Sequence, residues 1–310
     1  MPAKLTEHHL GRAVSHQFWD RELEPELVVR PGSEVGLSLR DGSNGQITPG
    51  TAAKDLLELD FTQMDPLTGP VFVEGAHPGD ALAVEIRDIS LASWGWSGIL
   101  PGLGLLVDHF PGPLLKFWDL QLDYVEIGPG ARFALQPMLG VIGVAPPLPG
   151  QHSSVVPTRA GGNMDVKYTR TGSRVLLPVF VEGALLSLGD AHALQGDGEL
   201  SGTAIECEAD VMVKVEVVRG AGLTAPVVDT AEAGEDPPER RRSFLGVGPD
   251  LWEATREASL RAVEALAGSL KIDPDEAYAL LGTFAELRIH EIVDRPNWVV
   301  GCMVPLRLLT

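Results

Sequence analysis

Glycine and proline set the first limit on what this chain can fold into. They number 35 and 24 among 310 residues, and through the first 220 they recur about every ten positions. Only short runs fit between them, such as EVGLSL (34–39), ALAVEIRDI (81–89), ARFALQP (131–137) and RVLLPVFV (174–181). Proline removes a backbone donor and glycine stiffens neither helix nor strand, so that spacing argues against long helices and for short strands joined by turns. A turn followed by an alternating strand recurs in PGSEVGLSLRD (31–41), PGDALAVEIRD (78–88) and GPGARFALQP (128–137). The copies are too short for a solenoid repeat, and hairpin construction explains them. The expectation is a mainly β protein, with a β-sandwich or barrel-like body.

The pattern changes after residue 228. DTAEAGEDPPERRRS (229–243) is polar and proline-bearing, so residues 229–249 read as an exposed connection, with Arg240, Arg241 and Arg242 as solvated surface. Residues 250–268 then show helical periodicity, with Asp250 and Glu253 at a capping box and Gly268 as a stop. IDPDEAYALLG (272–282) starts a second helix, with Asp273 as cap and Pro274 in the first turn. AELRIHEIVDRPNWVVGCMVP (285–305) closes the chain as strand. The division expected is a β-rich body over 1–228, the connection, and a smaller C-terminal α+β part over 250–310 packed on that body.

Composition narrows the partners. Twenty-four Lys and Arg stand against 43 Asp and Glu, a formal net charge of -19. Such a surface repels phosphate backbones and anionic lipid, so neither nucleic acid nor membrane is an expected partner. The N-terminal MPAKLTEHHLGRAV lacks the apolar stretch of a signal peptide. Two cysteines, Cys207 and Cys302, provide no disulfide framework and fit a reducing compartment. A cytoplasmic location is therefore expected. Many short apolar strands further suggest a homo-oligomer, a dimer or larger.

The densest chemistry lies in GDAHALQGDGELSG (189–202), where acids, a histidine and a glutamine alternate with glycines after an apolar run. In extended backbone Asp190 and His192 share one face, and Gln195, Asp197 and Glu199 share another. A carboxylate and an imidazole two residues apart suit a divalent metal whose other ligands come from distant residues. The GDG alone is ordinary hairpin chemistry. Asp190, His192 and Glu199 together go beyond what a hairpin requires.

The same stretch carries a resemblance. GGNMD, LPVFV-GAL, GD-HA-QGDGE and GTA-E, spread over 161–205, are similar to strings of the acetamidase/formamidase family. DGSNGQITPG (41–50), DPLTGPVFVEGAHPGDALAVEI (65–86), GWSGILPGLGLL (95–106), PMLGVIGVAP (137–146) and AELRIHEIVD (285–294) resemble family segments in the same order. Most of the chain is covered. The chain departs at Ser201, where the family often has Cys, and at His77, where an acid is common and which reads here as surface.

The resemblance implies a metal-dependent hydrolase that cleaves short aliphatic amides to carboxylate and ammonia. Asp190 and His192 are the expected metal ligands, with Asp41 as a third. Glu199 is the expected base and proton shuttle, and Asp165 is a second catalytic acid that orients water or substrate. Gln46, Asn163 and Gln195 are expected on the substrate. Zinc suits the histidine, while the oxygen-rich surroundings would also suit calcium. Trp94 and Trp96 are candidates for core or pocket wall. Cysteine chemistry at Cys207 or Cys302, and serine chemistry at Ser153 or Ser154 with Lys167, lack the neighbouring base or glycine-serine segment they need. The competing class is a non-catalytic β-sandwich that holds a metal or small ligand.

Overall fold

A computed structural model describes residues 8–231 and 239–309. Two large mixed sheets face each other. The first runs, in spatial order, through His8–Leu10, Glu34–Leu39, Ala209–Val218, Ala81–Leu91, Arg174–Pro178, Val227–Asp229, Arg241–Gly248, Trp298–Pro305 and Glu286–Glu291. The second is built on Leu186–His192, which lies between Met138–Gly143 and Glu206–Cys207 and also pairs with Leu67–Val73; Trp94–Ile99 and Leu114–Asp119 extend it. The fold is therefore mainly β, as the turn spacing implies.

Alternation builds the core. Along Ala209–Val218 buried and half-buried residues alternate, so Val211, Val213 and Val215 point inward. They meet Val35, Leu37, Val84 and Ile86 of the same sheet, and Leu139, Leu186 and Leu188 of the other. Packing of two inner faces in this way is the sandwich solution for half-apolar strands. All seven residues of Leu186–His192 are buried. Polar side chains on that strand must find partners inside the protein.

Two helices cover the outer face of the first sheet. Helix α1, Leu251–Leu270, is capped by Asp250, whose side chain accepts from Glu253 N at 2.9 Å. Its stripe of Ala258, Ala262, Val263 and Leu266 packs on Phe244, Cys302 and Val304. Gly246 permits the contact, since a Cβ there would run into the Ala254 carbonyl. The helix passes through Gly268 and ends at Lys271, which takes the left-handed cap conformation at φ 55. Helix α2, Pro274–Phe284, starts at the expected Asp273–Pro274 pair.

Residues 241–248 depart from the exposed connection read over 229–249. They form a central strand between Val227–Asp229 and Trp298–Pro305, so the sheet continues through that segment into the C-terminal residues. Arg242 is not simply solvated: its guanidinium donates to both oxygens of buried Asp229, at 2.6 and 2.8 Å. The polar composition of 229–243 concealed an ion pair within a strand. Residues 232–238 of this reading lie outside the described ones.

Candidate active site

The strand Leu186–His192 delivers Asp190 and His192 to one end of the second sheet, as their spacing implies. His192 stands opposite Glu206 on one neighbour and Met138 on the other. Its Nε2 lies 2.9 Å from Asp190 Oδ2 and 3.0 Å from Glu206 Oε2. On the other edge of the ring, Nδ1 is 2.7 Å from Gln195 Oε1. Gln195 uses its Nε2 to donate to the Asp165 carbonyl at 2.7 Å. That second bond orients the amide with its oxygen toward the ring, so Nδ1 carries the proton and donates.

Nε2 thus faces two carboxyl groups, and it must share a proton or a cation with Asp190 and Glu206. Asp190 Oδ1, both oxygens of Asp165 and His192 Nε2 have no hydrogen-bond partner although all are buried. Three groups of donor atoms lie within 4.8 Å of one another: Asp165, Asp190 and His192; His192, Glu199 and Glu206; Asp165, Glu199 and Asp294. The residues present therefore fit a divalent ion, on the evidence of orphaned buried donors whose chemistry suits one.

Electrostatics point the same way. Asp65, Asp165, Asp190, Glu199, Glu206 and Asp294 are all buried here, and positive charge on His192 moderates all of them but Asp294. Burial drives Glu206 to about 8 and Asp165 to about 6. Burial and then the Asp165 charge hold Glu199 well above its ordinary range. Burial also raises Asp65 and Asp294, each further lifted by neighbouring carboxylates. Asp190 is lowered because His192 outweighs its burial. Burial alone would lower His192, but Asp190 and Glu206 hold it well above the usual imidazole value. Carboxyls that repel one another in a dry site favour a proton or a metal ion.

Backbone strain is concentrated at the same place. Asp65, Asp165, Asp190 and Glu199 all take left-handed conformations, with φ of 48, 46, 50 and 43. Each costs of the order of 1–3 kcal/mol, and four acids of one cluster bear it together. Gly140 supplies the space they converge on: a Cβ there would sit 2.6 Å from Asp190 Oδ2, 2.7 Å from Asp165 Oδ1 and 2.9 Å from His192 Cε1.

Other expected residues lie elsewhere or do different work. Asp41 is buried, but its Oδ1 accepts from Ser43 N at 2.7 Å and from the Ser43 hydroxyl, and it belongs to none of the three donor groups. Gln46 staples its own loop, donating to the Ser43 and Asp60 carbonyls and accepting from Asp60 N. Gln195 contacts His192 instead of lining the cavity. Asn163 does line the cavity; its Nδ2 donates to Asp294 Oδ2 at 2.8 Å while its Oδ1 has no partner. His77 is exposed. Burial raises both thiols, Cys302 to about 11, which removes thiolate chemistry at neutral pH.

Sequence reasoning missed Asp65, Glu206 and Asp294. The signal for Glu206 was present, because it ends the GTA-E string. Asp65 and Asp294 sit in DPLTG and EIVDRP, where a lone acid before proline looks like a turn.

A neighbouring set anchors the loop that carries Glu199. Asp197 accepts from Lys167 Nζ at 2.7 Å and Arg288 at 3.3 Å, with His290 Nδ1 at 3.7 Å. Burial would raise Asp197, but the neighbouring His290 ring and the bond from Lys167 prevail and bring it to about 2. His290 also meets Ser243 Oγ at 3.0 Å, and Gly198 N donates to the His290 carbonyl at 2.8 Å. Ser243 and His290 are fully buried and neither lines the cavity. The trio is thus a fastener between loop 196–199 and strand Glu286–Glu291, not a nucleophile.

The cavity itself measures about 150 Å³. Asp190, Glu199, Glu206, Asn163 and Asp294 form its polar side, and Met64, Trp96, Leu100 and Leu103 contribute to its apolar side. Trp96 is both core and wall, whereas Trp94 packs on Phe117. A two-sheet β protein with a small cavity lined by converging carboxyl groups, two of which are backed by a buried imidazole, has the apparatus of a small-molecule hydrolase.

Comparison with known proteins specifies the class. The model of the Acetamidase/Formamidase family matches residues 4–153 and 148–310. A formamidase of Methylophilus methylotrophus is 30% identical, over 94% of this chain and 89% of that protein. An acetamidase of Mycolicibacterium smegmatis is also 30% identical, over 86% of this chain and 85% of its own length. The crystal structure of a predicted acetamidase/formamidase from Thermoanaerobacter tengcongensis superposes with a TM-score of 0.89, at 32% identity, covering 97% of this chain and 96% of that one. The chain belongs to the acetamidase/formamidase family, and it is an amidase.

Proposed function

We propose that this amidase is a metal-dependent amidohydrolase of short aliphatic amides, releasing a carboxylate and ammonia. The observation that carries the reading is the Nε2 of His192, buried, without a hydrogen bond, and aimed at the carboxyl groups of Asp190 and Glu206. Asp190, His192 and Glu206 would hold the ion, Glu206 taking the place first expected of Asp41. Zinc is the proposed metal, because an imidazole leads the set; calcium is the alternative that the carboxylates allow. When bound, the ion supplies Lewis acidity, polarising the amide carbonyl and acidifying water at neutral pH.

The protein's own groups supply the rest. Glu199, held above its ordinary range, is suited to take the proton of the attacking water and pass it to the departing nitrogen. Asp165 stands beside it and orients that water. Asn163 offers its unpartnered Oδ1 to the amide N–H, which makes it the substrate contact among the expected trio. Gln195 fixes the tautomer of His192, as an outer partner of a metal ligand does.

Two further parts of the proposal are a cytoplasmic location and a homo-oligomeric state. Among the described residues no helix is long and apolar enough to cross a membrane. Light scattering that returned the mass of one chain at micromolar concentration would refute the oligomer. The main test is ammonia release from formamide, acetamide and propionamide, with elemental analysis of the same preparation. Turnover abolished by a chelator and restored by zinc supports the proposal. Bound metal without turnover of any amide would instead favour a binding protein.

A further inference from the structure

The apolar side of the cavity is not a scatter of residues. Met64, Trp96 and Leu100 belong to one buried cluster with Ile47 and Leu56, and Leu103 and Val155 pack against that cluster. Met64, Trp96, Leu100, Leu103 and Val155 line the cavity, and Phe61, 41% exposed, lines it from a more open position. Trp96 and Leu100 are 1% exposed, so the wall is held by core packing and is formed before substrate arrives. A preformed dry wall gains nothing from a formyl group, which has no carbon beyond the carbonyl, and gains with each methylene laid on it.

We infer that this wall reads the acyl chain, and that the enzyme prefers propionamide and butyramide to formamide. The inference rests on the amidase reading above and deepens it. With the amide group toward the polar lining of Asp190, Glu199 and Asn163, the alkyl chain is left with the apolar lining of Trp96, Leu100 and Leu103. The cavity is small, about 150 Å³, so the gain per methylene ends once the apolar wall is covered. Leu100 and Leu103 are thus specificity residues, acting on the acyl chain and not on the reacting carbonyl.

The test is kcat/KM for formamide, acetamide, propionamide, butyramide and benzamide, on the wild-type protein and on Leu103→Phe and Leu100→Ala. In the wild type kcat/KM should rise about fourfold per added methylene up to propionamide, with benzamide turned over more slowly than propionamide. Leu103→Phe, at a half-buried position, should bring the propionamide-to-formamide ratio down toward unity by filling the wall. Leu100→Ala should shift the optimum to longer chains; if that variant does not fold, Phe61→Ala, which opens the more exposed part of the wall, should raise benzamide turnover. A wild-type series that is flat or falls from formamide, or a ratio unchanged by Leu103→Phe, overturns the inference and leaves amide hydrolysis standing. No ammonia from any amide overturns both.

Discussion

Gln195 holds His192 by a 2.7 Å bond from ring Nδ1 to its side-chain oxygen, and thereby decides which nitrogen faces the carboxylates. The same glutamine donates to the Asp165 carbonyl, so one side chain ties the imidazole to the acid-bearing turn at 165. Gln195→Leu should remove the lock while leaving the apolar surroundings intact. Metal affinity is expected to fall about 10–100-fold, read by competition with a chromogenic chelator. Affinity equal to that of the wild type would show that packing alone sets the ring.

Asp190→Ala and His192→Ala should each remove metal and activity together. Both side chains sit at the end of a buried strand whose hydrogen bonds are backbone bonds to Met138–Gly143 and Glu206–Cys207, so the β circular-dichroism signature should remain. Full metal content with normal rates in both variants would remove the site from the mechanism.

Glu199→Gln separates proton transfer from ligation. Glu199 joins two of the three donor groups, so geometry allows either role. As base, its loss should slow kcat by ~10²–10⁴-fold with bound metal unchanged. Metal lost in step with kcat, and rate partly restored by excess metal, would make it a ligand instead.

The metal-free protein should lose stability as pH rises. Glu206 is raised from an ordinary 4.5 to about 8 by burial, so the folded state binds more protons than the unfolded one between those values. Stability is then fullest below the unfolded pKa and declines as pH climbs through the folded one. Asp165, raised to about 6, acts in the same direction over the lower part of that window. A divalent ion replaces the missing protons, so added zinc should raise the melting temperature more at about pH 8 than at about pH 5. A metal-free protein whose melting temperature climbs across this range would contradict the assignment.

Much of this protein is legible in one dimension, for a local reason. Glycine and proline act on their own φ angles, so their spacing announced short strands; Asp190 and His192 meet as their spacing suggested, although Asp190 leaves the extended conformation at φ 50; Asp250 and Asp273–Pro274 marked both helix starts. The strings around 161–205 pointed to the family and to four residues that do meet, Asp165, Asp190, His192 and Glu199. What tertiary structure decided was every relationship across the sheets. Glu206 reaches His192 because Glu206–Cys207 pairs with the strand carrying it, and Asp294 arrives from a segment 131 residues away from its partner Asn163. Asp41 and Gln46, expected at the site, hydrogen-bond to Ser43 and, for Gln46, to Asp60. Residues 243–247 fall in the segment read as exposed connection but are buried in a strand paired on both sides, with Arg242 at its edge neutralised by Asp229. Local sequence sets the conformations a segment can adopt, whereas burial and the pairing of distant charges determine which of its side chains face one another.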